Sequence, residues 1–206
     1  RLPPERRAAP RWTLAPFDTR FRYFLVVILI FTLGNSSDAF LVLRAQAAGL
    51  PLIGVLGMMI TFNLVYAALA GPAGALSDRL GRRRLLIAGW TLYSLVYLGF
   101  AQAEAGWQAW ALMAVYGLYY AATEGVSRAY VADLVPAELR GTAFGVFNAA
   151  VGVMTFPASF IAGLLWQGAL GWGGLGPGAP FYFGAALALL AAGLLALLPA
   201  RQPRSG

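Results

Sequence analysis

Gly74-Ala75-Leu76-Ser77-Asp78-Arg79-Leu80-Gly81-Arg82-Arg83-Arg84 is the stretch of this chain that says most in the fewest residues. It lies between two long apolar blocks, 51–76 before it and 84–101 after it. Each block approaches the ~20 residues that a membrane-spanning helix needs. Between two such helices the stretch reads as a tight, charged turn. Gly81 permits the reversal of the chain, and Asp78 can cap a helix end or pair with a cation. The arginine cluster Arg82-Arg83-Arg84 would anchor the start of the next helix at anionic headgroups. Topology alone asks here only for positive charge, and the spacing of Gly, Asp, Arg and Gly goes beyond that.

The rest of the chain agrees with a membrane setting. Of its 206 residues, 60% are hydrophobic and 11% charged, against about 45–50% and about 25% in soluble domains. Cys, His and Lys are all absent, and the fifteen basic residues are all Arg. The missing Cys and His rule out disulfide frameworks, thiolate chemistry, Cys/His metal sites and the commonest general base. No metal or cofactor is expected. The net charge of +7 does not indicate nucleic acid, because the Arg residues sit between apolar blocks and form no basic face with interleaved aromatics.

Six apolar blocks are read as spans at about 21–43, 51–76, 84–101, 107–134, 142–166 and 180–198. The first segment, 1–20, is rich in Pro and Arg and is expected to be a cytoplasmic tail or linker; residues 200–206 would form a cytoplasmic C-terminal tail. The start at Arg1, without an initiator Met or a signal-peptide pattern, leads us to expect part of a longer protein or a processed product. Thirteen Arg fall in one alternate set of connections and tails, one (Arg44) in the other, and Arg128 lies within a span. By the positive-inside rule both ends are cytoplasmic. Trp107, Trp110, Trp166 and Trp172 mark the opposite edge, either as an interfacial belt or as ordinary lipid-facing residues. Small residues within the spans, such as Gly54, Gly57, Gly145, Gly152, Gly184 and Gly193, fit a closely packed bundle.

Polar groups inside hydrocarbon are costly and call for a reason. The first span contains Asn35-Ser36-Ser37-Asp38; Asn35 and Asp38, three apart, are expected to share a face. The patch could line a water-filled cavity or make an interhelical hydrogen bond for packing. The fourth span contains Tyr119, Tyr120, Glu124 and Arg128. Glu124 lies ten residues before Leu134, about 15 Å deep at helical rise. Glu124 and Arg128, four apart with the acid first, are in the favoured orientation for an ion pair. They are read either as a proton or substrate site or as a structural pair. Asn63 and Tyr66 in the second span and Asn148 in the fifth are further cavity-lining candidates, equally compatible with packing. Pro72 and Pro157 lie within spans, where each removes a backbone hydrogen bond.

The Gly74–Arg84 stretch resembles the signature loop of the major facilitator superfamily, roughly G-x-L-[A/S]-D-R-x-G-R-R. Pro136-Ala137-Glu138-Leu139-Arg140-Gly141-Thr142-Ala143-Phe144-Gly145 resembles the turn between the fourth and fifth helices of a superfamily half. The resemblance covers essentially residues 21–198. It implies an all-α membrane protein in which six transmembrane helices, 21–199, form one half of a twelve-helix bundle around a central cavity, working by alternating access. The basic start looks like the linker between halves, so the chain looks like the C-terminal half, with an N-terminal six-helix half as its partner. The resemblance further implies that Asp78 holds a helix N-terminus across the interface of the halves, and that Arg79, Arg82 and Arg83, with Gly74 and Gly81 shaping the turn, belong to a cytoplasmic charge network favouring one access state.

The leading expectation is therefore half of a secondary transporter for a small solute in the bacterial inner membrane, with Asp38 or Glu124 as proton-coupling candidates. The alternatives are a six-helix binding or assembly protein without transport, or a homodimeric half-transporter using a second copy. No nucleophile–base pair or phosphate-cradling loop suggests an enzyme.

Overall fold

A computed structural model describes residues 17–36, 38–169 and 171–198. The C-terminal tail at 200–206 and most of the tail at 1–20 lie outside the described residues, as does Ser37. Seven α-helices follow one another: α1 (Thr19–Gly34), α2 (Ala39–Ala47), α3 (Leu52–Leu80), α4 (Arg82–Gln102), α5 (Gly106–Leu134), α6 (Arg140–Gln167) and α7 (Ala179–Leu197). A 3-10 turn, Ala137–Leu139, precedes α6. Asp18 starts α1 by accepting the Phe21 amide at 2.9 Å, which satisfies one of the free N–H groups of the first turn.

Five segments are long and apolar enough to cross a membrane: Thr19–Ala47, Leu52–Leu80, Arg82–Gln102, Ala137–Gln167 and Ala179–Leu197. The sixth expected span is α5, whose 29 residues suffice in length. Its tyrosines, Glu124 and Arg128 dilute its hydropathy. The chain is thus an all-α membrane protein with the helix order expected of six spans.

Two local expectations are corrected. The first span is not one helix: α1 ends at Gly34 and α2 begins at Ala39. Asn35 terminates α1, its backbone N–H reaching the Phe31 and Thr32 carbonyls at 3.0 Å each. Asn, Ser and Asp side chains compete with the helical backbone for hydrogen bonds, so a cluster of them favours an interruption. Asn35 and Asp38 therefore flank a break and do not share a helix face. The second correction concerns the motif stretch. α3 continues through Asp78 and Arg79 to Leu80, and Gly81 alone separates it from α4. Gly81 has φ +90°, a conformation only glycine adopts without strain.

The helices pack in the order α3 on α5, α5 on α4, α4 on α7, α7 on α1, and α1 on α6. Lipid tails are as apolar as leucine, so close packing rather than water exclusion holds such helices together. At Gly34 and Gly184 the backbones of α1 and α7 nearly touch: a Cβ on Gly34 would lie 2.8 Å from Leu187 Cβ. A Cβ on Gly57 would similarly strike Trp110. Gly145, Gly152 and Gly193 face open space instead. The interior is strongly aromatic. Phe31 stacks on Trp90 at 4.8 Å, and Tyr93 stacks on Tyr97 at 4.0 Å. The outer helices are different. Only 17% of the most apolar stretch of α3 and 11% of that of α6 is buried, against 56% for α4. α3 and α6 therefore present apolar flanks to lipid or to another helical unit. Of the four belt candidates, Trp107 and Trp172 are exposed, whereas Trp110 turns inward and donates to Thr61 Oγ1 at 3.0 Å. Trp166 packs beside Phe40 and Phe181.

Candidate functional site

The first cluster forms where the α1–α2 break meets α4 and α5. Tyr116 on α5 donates its hydroxyl to Asp38 Oδ1 at 3.2 Å. Tyr93 on α4 donates to the Gly34 carbonyl at 3.1 Å, with Asn35 Oδ1 at 3.4 Å from the same hydroxyl. The break is thus held by tyrosines from two neighbouring helices. Asp38 is itself exposed, and Asn35 half-buried.

An aromatic group continues the cluster onto α3. Tyr66 and Tyr120 meet edge to face at 5.4 Å, and Phe62 meets Tyr120 the same way at 5.5 Å. Tyr120 is half-buried and lies within electrostatic reach of both Asp38 and Glu124. One turn along α5, Glu124 Oε1 receives a hydrogen bond from Arg128 Nη2 at 2.8 Å. The side chains are 37% and 61% exposed, so this pair sits on an open face and not in the core. The expected i, i+4 ion pair is formed. Asn63 stays out of the cluster: it is exposed, and its amide donates to the Met59 carbonyl of its own helix at 2.8 Å. Asn148 is exposed on α6.

The second cluster lies at the α3–α4 junction. Arg82 Nη1 contacts Asp133 Oδ1 at 2.6 Å and the Ala129 carbonyl at 2.9 Å, both near the end of α5. Its other terminal nitrogen is 3.6 Å from Asp78, which remains 71% exposed. Arg83 donates to the Leu195 carbonyl at 3.0 Å and also to the Ala196 carbonyl. These are the last carbonyls of α7, where a cation is favoured by the helix dipole. Arg79 is exposed in the last turn of α3. A Cβ on Gly74 would meet nothing within 4 Å, so no described residue requires a glycine there. At the other end of the bundle Arg44 performs a similar task on α4. It donates to the Phe100 and Ala101 carbonyls at 2.8 and 3.1 Å.

The model of the Major Facilitator Superfamily covers residues 19–206. The chain belongs to the major facilitator superfamily. An uncharacterized MFS-type transporter of Methanocaldococcus jannaschii is 37% identical over 182 residues, which is 85% of this chain and 44% of that protein. The class C tetracycline resistance protein of Escherichia coli is 34% identical over 110 residues, 53% of this chain and 28% of its own length. The chain thus spans less than half the length of the curated relatives it matches. The superfamily match and the transporter-named Methanocaldococcus relative point toward transport rather than enzyme chemistry.

Several residues of this superfamily member's clusters escaped the sequence. Tyr93, Tyr97 and Tyr116 lie within apolar spans and belong to no motif that singles them out. The 93/97 and 116/119/120 spacing, which stacks tyrosines along one helix side, was the available signal. Asp133 was hidden as a lone acid in the last turn of α5. Its position at the same cytoplasmic edge as Arg82 could have revealed it.

Proposed function

We propose that this chain is the C-terminal half of a twelve-helix secondary carrier that moves a small solute by exchanging a proton on Asp38 or Glu124. The observation that carries this reading is the placement of both acids on the open side of the bundle, with Tyr120 within electrostatic reach of each. A carboxylate is tolerated at membrane depth where it faces a water-filled cavity or a partner. Asp38 has one hydroxyl donor and Glu124 one arginine.

The opposite wall of the cavity would come from an N-terminal six-helix half. The fraction of relatives covered, 44% for the Methanocaldococcus protein, supports that arrangement. The exposed Asp78 is then free to meet a helix N-terminus of that half, where a carboxylate is favoured. Arg79, Arg82 and Arg83 would stabilise one access state. The arginine asymmetry supports an orientation with both ends cytoplasmic, in what we take to be a bacterial inner membrane.

The test uses the full-length protein in proteoliposomes with an imposed proton gradient. Replacing Asp38 with Asn and Glu124 with Gln together should abolish gradient-driven solute movement while leaving insertion unchanged. Undiminished gradient-driven movement would assign proton coupling to the other half. A band at this chain's own mass in the source membrane, detected with an antibody to residues 201–206, would instead favour the free-standing six-helix reading.

A further inference from the structure

We infer that the groove between the outer ends of α4 and α5 holds one phospholipid with a zwitterionic head, its acyl chain along the groove and its ammonium group beside Glu104. The inference does not depend on the proton-coupling reading. The groove lies at the end of the bundle away from the arginine corner, the outer end in the orientation proposed above. It encloses about 400 Å³, within the ~300–1,000 Å³ of small-molecule sites. Its floor is apolar, built of Gly99, Ala111, Leu112 and Val115. A Cβ on Gly99 would strike Leu112, so the two helices meet closely there and close the floor.

The placement of the groove on the helices says what surrounds it. On α5 the exposed residues Trp107, Ala111, Val115 and Leu118 recur every three or four positions. On α4 the exposed Leu95 and Gln102 flank Gly99 at the same spacing. Tyr120, nine residues after Ala111, lies about 180° round α5, and Glu124 about 140° round it. The groove is therefore on the side of α5 away from the candidate solute face, the side turned to lipid. From Trp107 to Val115 the helix rises about 12 Å, most of the ~15 Å of hydrocarbon in one leaflet. An acyl chain of that leaflet matches both the depth and the apolar floor.

The rim is polar at the level where head groups sit. Trp107 is 71% exposed, as an interfacial indole is. Gln108 accepts the Glu104 and Ala105 amides on its Oε1 at 2.8 and 3.0 Å, which leaves its Nε2 hydrogens as donors. Together with the Trp107 Nε1–H they suit the ester and phosphate oxygens of a lipid. The charge at the rim is negative. Glu104 is exposed in the α4–α5 connection, and the groove lining carries no charged residue. Arg44, within electrostatic reach of Glu104, is directed to the Phe100 and Ala101 carbonyls. An ammonium group is attracted both by a carboxylate and by an aromatic face, so a zwitterionic head fits this rim better than an anionic one.

The test is native mass spectrometry of the purified, delipidated full-length carrier, titrated in detergent with dioleoylphosphatidylcholine or dioleoylphosphatidylglycerol. Ala111→Trp fills the groove from an exposed position. It should retain one phosphatidylcholine fewer than wild type, or need about tenfold more lipid to retain it. Leu189→Trp, exposed on α7 away from the groove, should retain the wild-type number. In the wild type the molecule lost in Ala111→Trp should need about threefold more lipid to bind when phosphatidylglycerol is the probe. Glu104→Gln should bind the two lipids equally. Unchanged retention in Ala111→Trp, or the same loss in Leu189→Trp, overturns the inference, as does equal binding of the two lipids by the wild type. If Ala111→Trp folds poorly, Trp107→Ala at the exposed rim replaces it: weaker retention of one phosphatidylcholine supports the inference, and unchanged retention overturns it.

Discussion

The α3–α4 corner and the α1–α2 break are both interruptions between helices, and they are built in opposite ways. The corner spends a single glycine and then closes itself. Arg82 is satisfied by Asp133 and the Ala129 carbonyl, and Arg83 by the end of α7. The break falls within a membrane span and is held from outside, by Tyr93 and Tyr116 on neighbouring helices. It leaves Asp38 exposed and the Tyr97 hydroxyl unbonded. A closed charge network supports a fixed shape. An incompletely satisfied polar cluster beside a helix interruption is suited to exchanging ligands. On this contrast, substitutions at the corner should be read mainly in stability, and substitutions at the break mainly in transport.

The largest stability effect is expected at Gly81. Gly81→Val forces a β-branched residue to φ +90° in a one-residue connection, at about 1–3 kcal/mol of strain. The folded yield in detergent should fall sharply. Next comes Arg82→Ala, which strands Asp133 and the Ala129 carbonyl. Asp133 is half exposed, so the ion pair contributes about 0–1 kcal/mol and the bond to the Ala129 carbonyl about 0.5–1.5 kcal/mol, and a measurable drop in unfolding midpoint is expected. An unchanged midpoint would show that the corner does not lock the three helices together.

At the break the sizes reverse between the two readouts. Tyr116→Phe removes one donor to Asp38 at a stability cost of about 0.5–1.5 kcal/mol, yet it should slow gradient-driven transport more than Arg82→Ala does per unit of stability lost. Glu124→Gln should cost least in stability, because a largely exposed ion pair contributes about 0–1 kcal/mol, while still reducing coupled transport. A variant pair in which stability and transport fall together at both sites would erase the distinction.

Much of this was readable in the residues. Each helix from α5 to α7 lies within two residues of its expected span, since long apolar runs bounded by Arg, Pro or Gly leave little freedom. The corner was recognisable because its charges are spaced in a pattern that topology does not demand. The break was not, because the apolar run resumes at Ala39 and a hydropathy reading passes over the polar residues. Its position depends on Tyr93 and Tyr116, 58 and 78 residues away in sequence from the groups they hold. Tyrosine is also ambiguous in a membrane span, equally at home as packing and as a hydroxyl donor. The Glu124–Arg128 pair was legible because both partners lie on one helix, whereas Arg82–Asp133 required knowing that α4 and α5 are neighbours.

The most direct test of a solute pathway along the open face is single-cysteine accessibility in the full-length carrier. These 206 residues contain no native cysteine. Tyr120→Cys, on the aromatic and acidic face, should react with a membrane-impermeant thiol reagent in intact membranes. Leu190→Cys, exposed on α7 among apolar residues, should stay unreacted. Labelling at 120 without labelling at 190 is the predicted result. An inert cysteine at 120, or equal labelling at both positions, would contradict a water-filled pathway along Asp38, Tyr120 and Glu124.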